Sequence, residues 1–131
     1  FPLPLALERF GDAFSREARV TVRVQQQSPL PRLPEAARVT LFRVAEEALV
    51  NVAREARASE VSIELEADQE NVRLAVRDDG HAGDDALSEH DVAVILGGLD
   101  EQVRALGGDA FVRRRARQGT DVEVRLPLAC A

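Results

Sequence analysis

The chain has 131 residues, of which 45% are hydrophobic, so it is long enough to form one domain with a sizeable core. Its 17 basic residues are all arginine, and 23 acidic residues give a net charge of -6, which argues against a nucleic-acid-binding protein. The apolar runs are too short to span a membrane, the start lacks signal-peptide features, and Cys130 is the single cysteine. We therefore expect a cytoplasmic domain that contacts neither nucleic acid nor membrane.

Eight secondary-structure elements are predicted along the chain. Helices are indicated by apolar residues at spacings of three and four, and strands by alternating apolar and polar residues. Pro34 favours the start of the second helix, and Gly107 with Gly108 favours the end of the third. In chain order the elements are a helix at 5–17, a strand at 19–24, a helix at 35–57, strands at 60–66 and 71–76, a helix at 91–106, and strands at 109–113 and 120–126.

The predicted strands carry Arg, Glu, Ser or Thr at alternate positions, so one face of the sheet is expected to be wet and the other covered by helices. The short polar stretch 67–71 favours a hairpin between the second and third strands. The stretch 80–90 consists mainly of small and polar residues and shows neither the helical nor the strand period, which is typical of a mobile loop. The order of elements predicts a single domain, 1–131. Its expected fold is an α/β two-layer sandwich, with three helices over one face of a mixed sheet of about five strands.

The second helix carries two stripes. An apolar stripe is expected to face the sheet and consists of Val39, Phe42, Ala45, Leu49, Val52 and Ala56. Glu47, Asn51 and Arg54 are related by i, i+4 and i+7 and form a polar stripe. A carboxylate and an amide oxygen suit hydrated Mg²⁺, and a guanidinium suits the phosphates that it carries. On spacing alone, the solvent-facing side of an amphipathic helix explains this stripe at least as well.

The third strand leaves the sheet through Asp78, Asp79 and Gly80. A buried carboxylate at this exit is able to accept a hydrogen bond from an exocyclic amine, which distinguishes adenine from a base with a carbonyl at that position. The sequence Asp-Asp-Gly alone is mainly a turn signal.

Taken together and in this order, four segments resemble the ATP-binding catalytic domain of bacterial sensor histidine kinases of the GHKL superfamily, above all the nitrate-sensor and desaturation-sensor type. They are LFRVAEEALVNVAREARA for the N box, VRDDGHAG for the first glycine box, EQVRALGGD for the helix after the lid, and QGTDVEVRLPL for the closing strands. The resemblance covers nearly the whole chain. It implies the Bergerat-type ATP-binding fold, with ATP as ligand and Mg²⁺ as the accompanying metal.

The resemblance also implies roles for individual residues. Glu47 matches the N-box glutamate, which acts on metal-bound water and in proton transfer at the phospho-accepting histidine, and Asn51 matches the magnesium ligand. Arg54 matches the basic residue that contacts the ATP phosphates. The matches in the base pocket are Asp78 for the adenine-binding aspartate, Gly80 for the turn beside it and Thr120 for the threonine of a Gly-Thr element.

The function implied is transfer of the γ-phosphoryl group of ATP to a histidine on a helical dimerisation domain of the same protein, with a response regulator downstream. His81 and His90 lie in the predicted loop, not in a helix of that kind. We therefore expect the fragment to be a monomer that is inactive alone. The full-length protein is expected to be bacterial and either soluble or membrane-anchored.

Three departures from the family pattern surround the nucleotide. Ala82 replaces the last glycine of the first glycine box, Glu55 replaces a histidine common in the subfamily, and Ala-Val-Ile-Leu at 93–96 replaces the second glycine box, whose backbone amides meet the phosphates. They leave a second hypothesis open, a degenerate domain with weak or no ATP binding that regulates by docking to a partner. A third hypothesis, an anti-sigma serine kinase of the same superfamily, matches the N box and closing strands less well.

Overall fold

The computed structural model describes residues 2–52, 58–80, 95–115 and 119–128. Within these ranges the chain forms three helices and five strands. They are α1 (Leu3–Ala18), β1 (Thr21–Gln26), α2 (Glu35–Asn51), β2 (Glu60–Ala67), β3 (Asn71–Asp78), α3 (Leu99–Ala105), β4 (Asp109–Arg115) and β5 (Gly119–Pro127). None of the described helices combines the length and apolar character that crossing a membrane requires.

The five strands form one mixed sheet in the order β1-β2-β3-β5-β4. β1 and β2 pair in parallel, whereas the other three pairs are antiparallel. α1 packs on β1 and α2, α2 packs over β3 and β5, and α3 packs on β4. The predicted two-layer α/β fold is therefore confirmed.

The two faces of the sheet differ as the alternation predicts. The covered face supplies much of the buried core, including Val61, Ile63, Leu65, Val72, Leu74, Val76, Val124 and Leu126. The outer face carries ion pairs, among them Arg73 Nη1 to Glu123 Oε1 at 2.8 Å and Arg23 Nε to Glu60 Oε1 at 2.8 Å. Exposed pairs of this kind contribute little to stability, about 0–1 kcal/mol each, so burial on the covered face holds the sheet and helices together.

The first helix is longer than predicted, and β1 begins later. Arg19 adopts a left-handed backbone with φ 57, and its N–H donates to the Ser15 carbonyl at 3.0 Å, which closes α1. Because Arg19 serves as the helix cap, the first strand starts at Thr21 and not at 19. Gly11 lets the helix approach the sheet, since a Cβ there would lie 3.0 Å from Val22 Cγ1.

The apolar stripe predicted for α2 is only partly right. Ala45 and Leu49 are buried, but Val39 is 48% exposed. Phe42 turns sideways and packs against Phe10 of α1, with 5.6 Å between ring centroids. The face that meets the sheet and the neighbouring helices consists instead of Thr40, Leu41, Val44, Ala45, Ala48 and Leu49. The stripe was misassigned because α1 offers α2 a second apolar neighbour, and the last predicted member, Ala56, lies outside the described residues.

The helix predicted at 91–106 is interrupted. Residues 95 and 96 are helical, but Gly97 and Gly98 have φ of 60 and 84, and α3 begins only at Leu99. Left-handed backbone at two successive residues breaks the hydrogen-bond ladder, which is why the helix restarts. Its end is as predicted, with Gly107 in a left-handed conformation at φ 84. Residues 91–94 and most of the predicted loop lie outside the described part of the chain.

Candidate functional site

The topology brings two groups of predicted site residues to the same end of the sheet. β1 and β2 are parallel neighbours, so the connection between them must return the chain to the end where β1 began. α2 makes this return, which carries Glu47 and Asn51 to that end. Val61 at the start of β2 pairs with Asp78 at the end of β3, and β5 begins beside it. The last turns of α2 therefore share one end of the molecule with Asp78 and Thr120.

Asp78 is the last residue of β3 and is 95% buried, since only 5% of its surface is exposed. The backbone N–H of Gly80 donates to its Oδ1 at 2.8 Å, and the N–H of Thr120 lies 3.4 Å from the same oxygen. Both neighbours are buried as well. The three residues that the sequence assigned to a base pocket are thus assembled around one carboxylate, whose orientation is set by backbone donors.

Gly119 is a site residue that the sequence-based prediction missed. It begins β5 with φ 111, and a Cβ there would overlap the carbonyl oxygen of Asp78 and lie 2.9 Å from Asp78 Oδ1. Only glycine permits this approach of the two strands. The sequence-based prediction used only the threonine of the Gly-Thr pair. The glycine before it was the feature of the sequence that could have indicated Gly119.

Asp79 has a different role from the aspartate before it. Its Oδ1 accepts hydrogen bonds from the N–H groups of Ser59 and Glu60 at 2.8 and 3.0 Å, and its Oδ2 accepts one from the Ser59 hydroxyl at 2.7 Å. The Ser59 hydroxyl and these backbone donors hold the pKa of Asp79 below its usual value. This exposed carboxylate links the end of β3 to the start of β2, so Asp78 is the aspartate that remains a candidate for base binding.

Glu47 and Asn51 lie on the edge of α2 that faces α3. Both side chains are half-buried. A Cβ built on Gly97 would lie 3.2 Å from both Cδ and Oε2 of Glu47, so the carboxylate rests against this left-handed glycine. The neighbouring Gly98 has open space at the same position. The sequence-based prediction missed Gly97, because a contact between separate helices leaves no mark in local spacing.

The side-chain oxygen ligands on α2 fit a magnesium ion that is held mainly by phosphate and water. A carboxylate and an amide oxygen one helical turn apart provide the hard oxygen ligands that Mg²⁺ prefers, and one or two such side chains suffice beside phosphates. The described residues contain no group of three or more His, Cys, Asp or Glu suited to a metal. This arrangement suits a metal that arrives with its nucleotide.

Several predicted features fall outside the described residues. They are Arg54, Glu55, Ala82, and positions 93 and 94 of the second glycine box. The other two positions of that box are described: Ile95 and Leu96 are buried members of the hydrophobic core. Ile95 therefore places a buried apolar side chain where the family pattern has a glycine.

A protein-family model described as histidine kinase-, DNA gyrase B- and HSP90-like ATPase matches residues 36–129. The chain belongs to this family. The matched segment contains α2 except for its first residue, strands β2 to β5 and every predicted site residue.

Two relatives and a solved structure agree with this assignment. The signal transduction histidine-protein kinase/phosphatase DegS of Brevibacillus brevis is 26% identical over 122 residues, covering 93% of this chain and 31% of DegS. The nitrate/nitrite sensor protein NarX of Escherichia coli K12 is 30% identical over 120 residues, covering 91% of this chain and 20% of NarX. The histidine kinase domain of the Erythrobacter litoralis EL346 blue-light activated kinase superposes with a TM-score of 0.71 at 22% identity, covering 98% of this chain and 62% of that one.

These findings confirm the predicted resemblance. In sequence and fold the chain corresponds to the ATP-binding catalytic domain of two-component histidine kinases such as these relatives. It spans less than a third of the length of DegS or NarX, so it corresponds to one part of such proteins.

Proposed function

We propose that this domain binds ATP with Mg²⁺ between the last turns of α2 and the end of β3, and that it presents the γ-phosphoryl group to a histidine of a helical domain in the same protein. The observation that carries the proposal is the buried Asp78 carboxylate, held by the backbone of Gly80 and Thr120 at the end of the molecule where Glu47 and Asn51 lie. A response regulator that receives the phosphoryl group, and a place in the bacterial cytoplasm, belong to the same proposal.

Asp78 supplies selectivity for adenine. An ionised carboxylate only accepts hydrogen bonds, so the base edge that faces it must donate. The exocyclic amine of adenine does so, whereas the carbonyl at the same position of guanine brings oxygen against oxygen inside a buried pocket. Thr120 and Gly119 line the same corner and hold the carboxylate in place.

Glu47, Asn51 and Arg54 act at the phosphate end. The Asn51 amide oxygen and the Glu47 carboxylate would hold the magnesium ion directly or through water, and Arg54, one further step along the stripe, would contact phosphate oxygens. When bound, Mg²⁺ neutralises charge on the phosphates. Glu47 would accept the imidazole proton as the histidine nitrogen bonds to the γ-phosphorus and ADP departs.

The adjacent aspartates provide a matched test of this proposal. We expect the chain to bind ATP in the presence of magnesium with micromolar affinity by titration calorimetry. Asp78→Asn should lower that affinity about 10- to 100-fold, because the remaining oxygen is taken by the backbone donors and the new amide group would face the adenine amine donor to donor. The same substitution at Asp79 should change it by less than about twofold, because this carboxylate binds Ser59 and Glu60 instead. Equal losses in the two variants, or no heat at millimolar ATP, would contradict the proposal.

A second candidate function keeps the fold without catalysis. Burial of Ile95 and Leu96 in the core, where the family pattern has a glycine box, favours a regulatory domain that docks to a partner and binds nucleotide weakly or not at all. Absence of ATP binding by a folded chain would support it. In the intact protein, an acid-labile phosphohistidine is expected for the kinase, whereas an acid-stable phosphoserine would indicate a serine kinase of the same superfamily.

A further inference from the structure

The outer face of the sheet contains a groove at the β3, β5 and β4 strands, on the side away from the helices. Its volume is about 480 Å³. Ala75 and Phe111 pair with Glu123 from opposite sides, so the three residues form one row across the strands. The small Ala75 leaves a depression beside longer side chains. The residues that line this outer groove include Ala75, Arg77, Phe111, Arg113, Asp121, Glu123 and Arg125.

Phe111 makes the outer groove partly apolar. It is 52% exposed, although the other side of the same strand packs into the protein. A single exposed apolar residue is common on protein surfaces, but one that borders a groove offers a contact for an apolar group of a bound molecule. Phe111 is therefore available to cover an apolar side chain of a partner.

The charges that reach solvent around the outer groove are positive. The side chains of Arg77, Arg113 and Arg125 are 46%, 76% and 55% exposed, whereas those of Asp121 and Glu123 are only 13% and 28% exposed. The ion pairs between them are long, from 3.5 to 3.9 Å. Three guanidinium groups thus remain able to bind carboxylates from outside, on a chain whose net charge is -6.

The sequence adds to this local basic character. Arginine also occupies positions 114, 115 and 117 of the sequence, which together with Arg113 form its densest basic cluster. The catalytic proposal does not use this cluster. Because the groove opens on the face of the sheet opposite α2, a molecule bound there would leave the ATP site accessible.

We propose that the outer groove binds an acidic peptide segment of a partner protein that carries an apolar side chain between its carboxylates. The carboxylates bind Arg113 and Arg125 at the rim, and the apolar side chain packs on Phe111 above Ala75. A uniform polyanion such as nucleic acid fits less well, because Asp121 and Glu123 at the floor repel a continuous line of negative charge. The groove thus favours separated carboxylates with an apolar residue between them.

A synthetic peptide tests the proposal with the 131-residue chain. The probe is a short acidic peptide with one central phenylalanine, titrated into isotopically labelled protein and followed by amide chemical shifts. We expect saturable shifts at Ala75, Phe111, Arg113 and Glu123 and a dissociation constant of about 10–500 µM. Phe111→Ser and the double variant Arg113→Glu with Arg125→Glu should each weaken binding at least about tenfold.

Two variants serve as matched controls. Arg23→Glu removes an exposed arginine from the same face at the far edge of the sheet, and Leu5→Ser removes an exposed apolar residue from α1. Both should bind the peptide within about twofold of the parent chain. The proposal is overturned if shifts fall elsewhere, if the controls weaken binding as much as the groove variants, or if polyglutamate or single-stranded DNA binds as tightly as the peptide.

Discussion

Gly97 and Gly98 share a left-handed backbone, yet their surroundings differ in a way that concerns the proposed catalytic glutamate. A Cβ at Gly97 meets the Glu47 carboxylate at 3.2 Å, whereas a Cβ at Gly98 meets nothing within 4 Å. The carboxylate is therefore positioned partly by the absence of a side chain on the turn before α3. Moving the Glu47 carboxylate by a few tenths of an ångström is enough to affect proton transfer, because the rate of a catalytic step depends steeply on the distance between the reacting groups.

We predict that Gly97→Ala lowers the stability of the domain more than Gly98→Ala does. Each substitution puts alanine in a left-handed conformation at a cost of about 1–2 kcal/mol, but only the first also displaces Glu47. In urea unfolding the Gly97 variant should be less stable by about a further 0.5–1 kcal/mol. The two variants should become equivalent in a Glu47→Ala background. If the two glycine variants still differ in stability when the Glu47 side chain is absent, the difference does not come from contact with Glu47.

The residues at the site differ in how far the sequence could predict them. Asp78, Glu47 and Asn51 were predicted from their spacing and from the family resemblance, and Asn51 also stands out because Asn is a weak helix former. Gly119 and Gly97 do not, because their importance lies in what a missing Cβ avoids across the fold. Spacing along the chain carries no information on such close approaches.

At the scale of secondary structure, strands were predicted better than helix faces. Alternation identified four of the five strands because one side of the sheet is wet, and the fifth, at 109–113, was placed after the glycines that end the third helix. Errors were confined to ends such as that of β1, where Arg19 caps the preceding helix. The buried face of α2 was harder to predict, since this helix contacts α1, α3 and the sheet at once. A helix with several apolar neighbours has no single stripe to find.

The fastening of β3 to β2 by Asp79 predicts a specific pH dependence. A carboxyl whose pKa is lowered by folding contributes stability that is complete above its unfolded pKa, about pH 4, and is lost as the pH falls through the lowered folded value. Asp79→Asn should therefore lower the free energy of unfolding by about 1 kcal/mol at pH 7, a value already reduced for solvent screening. The difference from the parent chain should shrink below about pH 4.

Circular dichroism in urea at a series of pH values measures this effect, and it suits a chain without tryptophan or tyrosine. Ser59→Ala tests whether the effect comes from the contact between Asp79 and Ser59, because it removes the hydroxyl group that donates to the Asp79 carboxylate. The loss of stability in the double variant should be smaller than the sum of the losses in the two single variants. Parallel stability curves for the parent chain and Asp79→Asn across the acid range would refute the assignment.

For the molecule as a whole, the first 35 residues complete the core, although the family match begins at residue 36. α1 contributes the buried Leu3 and Leu7, and β1 occupies the edge of the sheet beside β2 with six paired residues. Deleting 1–35 would strip one side of β2 of its backbone partners and expose apolar residues that α1 covers. We predict that the trimmed chain, 36–129, self-associates on size-exclusion chromatography with light scattering, whereas the full chain elutes as a 14.3 kDa monomer.

The parallel pairing of β1 with β2 has a further consequence for how this protein is made. β2 follows β1 by 34 positions, with Gln26 and Glu60 as the flanking residues, so a ribosome must deliver the whole intervening helix before the first strand finds its neighbour. Until then β1 lacks its strand neighbour, and α1 and α2 are the elements of this domain that can cover its apolar side. Chaperones that shield nascent chains would meet α1 and β1 before the rest of this domain, and synonymous codons that slow synthesis once β2 has left the ribosome would favour its pairing with β1.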